Sequence, residues 1–221
     1  MTPSGPKDVW TIVVAAGSGQ RFGGSKQFEV LAGRTVAEWA THTASAFSGG
    51  VVVVVPADCE LGQGPVQQVH GGASRSESVR RGLAAVPNDA RVICVHDAAR
   101  PFAPDEVFQA VIAAVRNGAD AAVPGLAVAD TIKQVDEHDV VVHTPPRDRL
   151  RAVQTPQAFA ADVLRRVHQA GGEASDDAAL VEAHGGRVVV VPGHEFARKI
   201  TTRDDMEWAR AHAADQQKGE V

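Results

Sequence analysis

Several absences narrow what this chain can be. Among 221 residues there are two cysteines, Cys59 and Cys94. They have neither metal-ligand spacing nor a disulfide-framework pattern, which argues against a zinc module and a stapled secreted domain. No Cys-x-x-Cys, His-Glu-x-x-His or Gly-x-Ser-x-Gly occurs, so thioredoxin, metalloprotease and serine-hydrolase readings lose their basis. Positive charge is not in excess. The 22 Lys and Arg against 27 Asp and Glu leave a formal net charge of −5, the wrong sign for a general nucleic-acid binder. No apolar run approaches a membrane span, and Met1 to Asp8 lacks the apolar stretch of a secretory signal. The expectation is a soluble, cytoplasmic protein with reduced thiols, Cys94 lying inside an apolar run. The length fits a single domain over residues 1–221 with room for an insertion.

What is present begins with an apolar run, Val9 to Ala15, that breaks into a loop. That loop holds Gly17, Gly19, Gly23 and Gly24 together with Arg21 and Lys26. Glycines let backbone N–H groups approach oxygen closely, and cations neutralise what arrives, so a strand feeding such a loop is suited to phosphate. Two familiar phosphate motifs fail here. The dinucleotide fingerprint starts at Gly17 and Gly19 but meets Phe22 at its third glycine. The P-loop spacing of Gly19 and Gly24 is followed by Ser25 where lysine is needed. The loop is either a phosphate site of another kind or a tight turn, and Arg21 and Lys26 favour phosphate.

Further along, Thr35 to Phe47 has helical apolar spacing with Thr35 as N-cap, and Val51 to Val55 reads as a doubly buried strand. Val66 to Val69 is a short strand candidate. Ser74 and Glu77 have capping-box spacing before a helix through Val86. Arg91 to Val95 reads as a strand, Asp105 to Arg116 as a helix and Ala119 to Val123 as a strand. This alternation predicts an α/β fold with a mostly parallel, doubly wound sheet. Its ligands belong beyond the carboxyl ends of the strands, where the Gly17 loop, the Gly71 loop and Asp97 all fall. The rhythm then changes. Thr131 to Val135 and Val140 to His143 flank the polar turn Asp136–Asp139, which predicts a β-hairpin arm inserted at about 127–152. A lone hairpin is marginal in water, so the arm is expected to pack on a second subunit. Helices over Ala161–Ala170, Asp176–Ala183 and Asp204–Gln216, a strand over Arg187–Val191 and a frayed tail over Gln217–Val221 complete the reading.

Asp97, just past a buried strand, is placed either to hold Mg²⁺ with phosphate oxygens or to serve as a turn aspartate. His96 beside it reads as a packed histidine. Cations cluster near loops: Arg21, Lys26, Arg75, Arg100, Arg147, Arg149, Arg151, Arg198 and Lys199. Singly each is a solvated charge; several at strand ends suit a polyphosphate cradle. Nucleotidyl transfer needs positioned cations and metal, without a covalent nucleophile.

Six segments in order carry a resemblance: Ala15–Arg21 with Ser25-Lys26-Gln27, Gly71–Val79, Val95–Pro101, Gln154–Phe159, Ser175–Ala178 and Lys199–Thr201. Together they resemble the 2-C-methyl-D-erythritol 4-phosphate cytidylyltransferase family of the non-mevalonate isoprenoid pathway. The resemblance implies a Rossmann-like nucleotidyltransferase fold, a homodimer joined through the β-arm, and a Mg²⁺-dependent reaction of CTP with methylerythritol phosphate. It implies that Arg21 and Lys26 bind the triphosphate and that Asp97 helps hold Mg²⁺. Ala15, Ala16, Gly17, Ser18, Gly19, Gly72, Ala73, Arg75 and Ser78 would form the nucleotide site. Arg147 and Lys199 would position the substrate phosphate, with Arg100, Thr131 and Thr155 completing that pocket. Thr131 and Arg147 would reach into the neighbouring subunit. Three positions depart from the family pattern: Ser25 stands for proline, Ala197 for asparagine, and Pro145-Pro146 precede Arg147 where aspartate is usual, leaving Arg149 as the alternative contact. The rival reading within the class is a ribitol 5-phosphate cytidylyltransferase. From other classes come a nicotinamide-dependent Rossmann oxidoreductase and a silent nucleotide-binding module.

Overall fold

β-Branched side chains pack well on a pleated surface and lose rotamer freedom in a helix, so the valine-rich runs of this chain become strands. The computed structural model describes residues 2–17, 19, 22–59 and 66–219, with side chains to residue 216. In chain order it contains β1 (Val9–Val14), β2 (Val30–Leu31), β3 (Arg34–Thr35), α1 (Val36–Phe47), β4 (Gly50–Val55), β5 (Gln67–His70) and α2 (Arg75–Ala85). There follow β6 (Val92–Asp97), α3 (Asp105–Arg116), β7 (Ala121–Ala127), β8 (Gln134–Val135), β9 (Val141–His143), β10 (Arg151–Val153) and β11 (Gln157–Ala160). The chain closes with α4 (Ala161–Gln169), α5 (Asp177–Ala183), β12 (Val188–Pro192) and α6 (Arg203–Gly219). α6 therefore continues past Gln216, where fraying was expected.

The main sheet has eight strands, ordered β10-β7-β11-β6-β1-β4-β5 with β12 on the far flank of β7. Strands β6, β1, β4 and β5 run parallel, as does the β12–β7 pair. Side chains alternate faces along each strand. Ile12, Val52 and Val54 pack with Val79 and Leu83 of α2 and with Leu164 and Val181 of α4 and α5. Val13, Val51 and Val53 pack with Ala37 and Ala40 of α1 and with Phe108 of α3. Helices thus cover both faces, as a parallel sheet requires.

Two local expectations are corrected. β11 lies antiparallel between β6 and β7, and β10 runs antiparallel along the same flank of β7. The residues that build this flank, Arg151 to Ala160, contain a proline and two glutamines and carry no strand periodicity. The Ser74/Glu77 box is also different. Ser74 caps α2 by accepting from the Glu77 N–H at 3.1 Å, but Glu77 reaches past the cap to the Ala73 N–H at 2.8 Å. The full reciprocal box belongs instead to Thr35 and Glu38 at the start of α1.

The arm stands apart. Among the described residues β8 and β9 pair only with each other, and every residue from 129 to 144 is exposed. Val140, Val141 and Val142 remain 52–59% exposed. Among the described residues no helix is long and apolar enough to cross a membrane.

Candidate active site

Backbone bonds carry three loops to one rim of the sheet. The Ala15 N–H donates to Val54 O, Gly71 N–H to Val55 O and Ala98 N–H to Val14 O, at 2.8–3.1 Å. Between them lies a cavity of about 590 Å³, lined from the first loop by Ala15, Ala16, Gly17, Gly19, Lys26 and Gln27. Gly72, Ala73, Ser74, Arg75 and Ser78 line it from the second loop and α2, Asp97 to Ala99 from the third, and Lys199 closes it. The chain moves outward from β1 to β4 and β5, then returns to β6 on the other side of β1. The cavity sits beyond the strand ends at that reversal, the usual crevice of such sheets.

The first loop is held from within. Gly19 has φ +63° and its carbonyl accepts from the N–H groups of Phe22, Gly23 and Gly24. A Cβ at Gly19 would run into Gly24 O. Gln27 is buried, and its Nε2 donates to Gly17 O at 3.1 Å. The Lys26-Gln27 pair thus divides its work: Gln27 pins the start of the loop while Lys26 lines the cavity. Nothing in the sequence reading gave Gln27 that task. Ser18 and Arg21, expected at the nucleotide, lie outside the described residues.

The second loop is equally self-contained. Ser78 Oγ accepts from the Gly72 N–H at 3.1 Å and donates to Ser74 O at 2.8 Å. A side chain at Gly71 would collide with Ala16, so glycine lets the second loop lie against the first. Ala73 is exposed at the mouth, and Ser78 is buried beneath it.

Asp97 is the electrostatic centre. Lys199 Nζ donates to its Oδ2 at 2.7 Å, Arg75 Nε lies 3.7 Å from Oδ1, and Arg100 Nε lies 3.9 Å from Oδ2. Burial alone would push this carboxyl up, but Lys199, Arg75 and Arg100 outweigh it and hold it far below the usual carboxylate range. It is ionised whenever the protein is folded at neutral pH. Lys199 is brought to it by the Ile200 N–H, which donates to Ala99 O at 2.8 Å. Behind Lys199, Asp205 accepts from the N–H groups of Thr201 and Thr202 at 2.8 and 2.9 Å, fixing the turn into α6.

Arg100 and Thr155 are not brought into the cavity lining. Arg100 Nη1 donates to Ala197 O at 2.6 Å and Nη2 to Val153 O at 3.4 Å, making it a strut between β10 and the Lys199 segment. Burial lowers its pKa against the raising effect of Asp97. Thr155 is buried, and its Oγ1 accepts from the Asp97 N–H at 2.9 Å. His96 Nε2 faces Arg100 O at 3.2 Å, and a carbonyl only accepts, so that nitrogen carries the proton. Nδ1 is then the acceptor for the Thr155 hydroxyl at 3.0 Å. Burial pushes the His96 pKa down to about 4, so the ring is a neutral packing element. Thr155 acts on the site by orienting Asp97.

Thr131 and Arg147 are exposed on the arm and do not line this chain's cavity. Arg147 Nη1 donates to Ala129 O at 2.6 Å, which ties the base of the arm together. Arg149, the alternative contact, is also exposed. Among the described residues no cluster of three His, Cys, Asp or Glu is placed to hold a metal by itself.

Comparison with known proteins agrees with this geometry. Residues 9–214 match the family model described as IspD, 2-C-methyl-D-erythritol 4-phosphate cytidylyltransferase. The enzyme of that name from Saccharopolyspora erythraea is 48% identical over 219 residues, covering 92% of this chain and 98% of its own. The crystal structure of the Thermus thermophilus enzyme superposes with a TM-score of 0.78 at 36% identity, covering 92% of this chain and 98% of its own. A 4-diphosphocytidyl-2C-methyl-D-erythritol synthase from Anaerococcus prevotii superposes with a TM-score of 0.80 at 30% identity, covering 93% and 98%. The rim cavity, the inserted arm and these likenesses over nearly the whole length place the chain in the 2-C-methyl-D-erythritol 4-phosphate cytidylyltransferase family.

Proposed function

We propose that this protein transfers CMP from CTP to 2-C-methyl-D-erythritol 4-phosphate, giving 4-diphosphocytidyl-2-C-methyl-D-erythritol and pyrophosphate. The observation that carries the reading is the composition of the rim cavity: among the described residues Lys26, Arg75 and Lys199 converge with a single ionised carboxylate, Asp97, on a lining otherwise rich in small residues. Such a lining positions a triphosphate and offsets charge without forming a covalent bond to it. The reaction is a direct displacement. A phosphate oxygen of the methylerythritol phosphate bonds to the α-phosphorus of CTP, and the bond from that phosphorus to the bridging oxygen of the β-phosphate breaks. Pyrophosphate leaves with the electron pair.

The first two loops would cradle the nucleotide, with Lys26, and Arg21 by resemblance, on the triphosphate. Lys199 would meet the negative charge that builds between the two substrates. Asp97 fits Mg²⁺ as the one protein carboxylate of a site completed by phosphate oxygens, since this ion takes one or two carboxylates plus substrate phosphates. When bound, Mg²⁺ would screen the triphosphate charge and favour departure of pyrophosphate.

The exposed valines of the arm support a homodimer in which Thr131 and Arg147 complete the acceptor pocket of the neighbouring subunit. Two free thiols support a reduced, cytoplasmic setting. Pyrophosphate release from CTP, with methylerythritol phosphate and ribitol 5-phosphate compared side by side, tests the substrate. Turnover of the first is expected. Efficient use of the second with none of the first would replace this reading by the ribitol one.

A further inference from the structure

One run that carried the resemblance, Ser175-Asp176-Asp177-Ala178, contributes nothing to the cavity lining, yet it reaches the cavity through a second residue. Asp176 caps α5, its Oδ1 accepting from the Ala179 N–H at 2.9 Å and its Oδ2 from Gln157 Nε2 at 2.8 Å. Asp177, the first residue of α5, is fully buried. Its Oδ2 accepts from Arg75 Nη1 at 2.7 Å and its Oδ1 from His168 Nε2 at 2.9 Å. An ionised carboxylate only accepts, so the His168 proton sits on Nε2. Among the described residues His168 Nδ1 is buried with no hydrogen-bond partner, which means the ring forgoes one contact while keeping the one to Asp177.

Arg75, at the start of α2, is where this buried pair meets the cavity. Its guanidinium stands between two carboxylates, hydrogen-bonded to Asp177 and 3.7 Å from Asp97. Asp97 is the only acid in the described lining, so its charge decides what else can bind there. If Asp177 did not hold Arg75, the nearest countercharge would be Asp97, and the two would close on each other across the site. Among the described residues Lys199 pairs with no second carboxylate, and it is left to exchange between Asp97 and a phosphate.

We propose that Asp177, backed by His168, is a positioning residue that holds Arg75 at the nucleotide cavity and keeps it from closing onto Asp97. The proposal rests on the nucleotide reading above. It differs from a plain structural staple joining α2, α4 and α5, which would move the melting temperature and leave nucleotide binding alone.

Calorimetric binding of CTP to the full chain, without the second substrate, separates these. Asp177→Asn and Arg75→Gln are each expected to raise the CTP Kd on the order of tenfold, the loss of one charge-assisted contact. The double variant is expected to bind no more weakly than Arg75→Gln alone, because residues acting through one another are not additive. Should Asp177→Asn fail to fold, His168→Ala carries the same test. It leaves the pair in place but loosens it, so it should weaken CTP binding in the presence of Arg75 and not in the Arg75→Gln background. Wild-type CTP affinity in a folded Asp177→Asn or His168→Ala protein, or losses that multiply in the double variants, overturns the proposal. Failure of the wild type to bind CTP overturns the nucleotide reading and this inference with it. Binding of CTP without use of methylerythritol phosphate overturns only the acceptor assignment.

Discussion

The rim cavity and the arm are built by opposite rules. At the rim, Asp97 is 8% exposed, hydrogen-bonded to Lys199 and with Arg75 and Arg100 at 3.7 and 3.9 Å, and each neighbouring loop is tied to a strand end by its own backbone. On the arm, Arg147 is exposed and bonds locally to Ala129 O, while Val140 to Val142 face outward. The described rim residues pair with one another within one chain; under the proposed dimer the arm would be completed by a second copy. Preorganised charge belongs where water is excluded, because there it acts at full strength and need not reorganise during reaction. Under the same proposal, specificity for the second substrate would rest with a segment that a partner puts in place.

Substitutions can break this contrast in order of effect. Lys26→Ala at the rim should lower kcat on the order of 10²-fold or more with the fold retained, as for loss of one preorganised charge. An unchanged kcat with only KM raised would show uniform ground-state binding instead. Val141→Asp on the arm should shift the protein to monomer in sedimentation and lower turnover by roughly tenfold or more, while CTP binding at the rim persists. Loss of CTP binding in that variant would mean the rim is not finished within one chain.

Stability should follow the rim. Asp177→Ala takes the buried partner away from His168 and releases Arg75 toward Asp97, and should cost about 1–3 kcal/mol at pH 7, read from denaturant unfolding. Burial raises the Asp177 pKa, but His168 and Arg75 outweigh it, so the folded value lies below the unfolded 3.8. The unfolded chain therefore binds the proton first. Stability from this group is complete above that value and is lost as pH falls through the folded pKa. The acid limb of the wild-type melting curve should flatten in Asp177→Asn. The smallest effect is expected away from both regions: Thr35→Ala removes the α1 cap and should cost about 1 kcal/mol without changing kcat.

Much of the rim was legible in the sequence because it depends on local signals. Val51 to Val55 announced a buried strand, and glycines next to Lys26 marked the loop that follows β1. Other parts depend on distance. The Arg75–Asp177 pair joins residues 102 apart in the chain, and no spacing rule connects them. Residues 151–160 hide two antiparallel strands because Pro156 and the paired glutamines break the alternation, while β7 supplies the template for their pairing. Gln27 was read as part of a motif, but its task is visible only once Gly17 O is seen to lie within reach. Arg100 and Thr155 likewise carry contacts that no spacing rule shows: beside the substrate role that the resemblance implies, they brace the Lys199 segment and Asp97.

Subunit complementation tests most directly whether a rim and a neighbour's arm make one site. Lys26→Ala and Arg147→Ala proteins, each nearly inactive alone, would be unfolded together, refolded as an equal mixture and assayed for pyrophosphate release. Random pairing makes half of the dimers mixed, and each mixed dimer holds one site with an intact rim and an intact arm. The expected activity is about a quarter of wild type. A mixture no more active than its two parents would contradict the shared site.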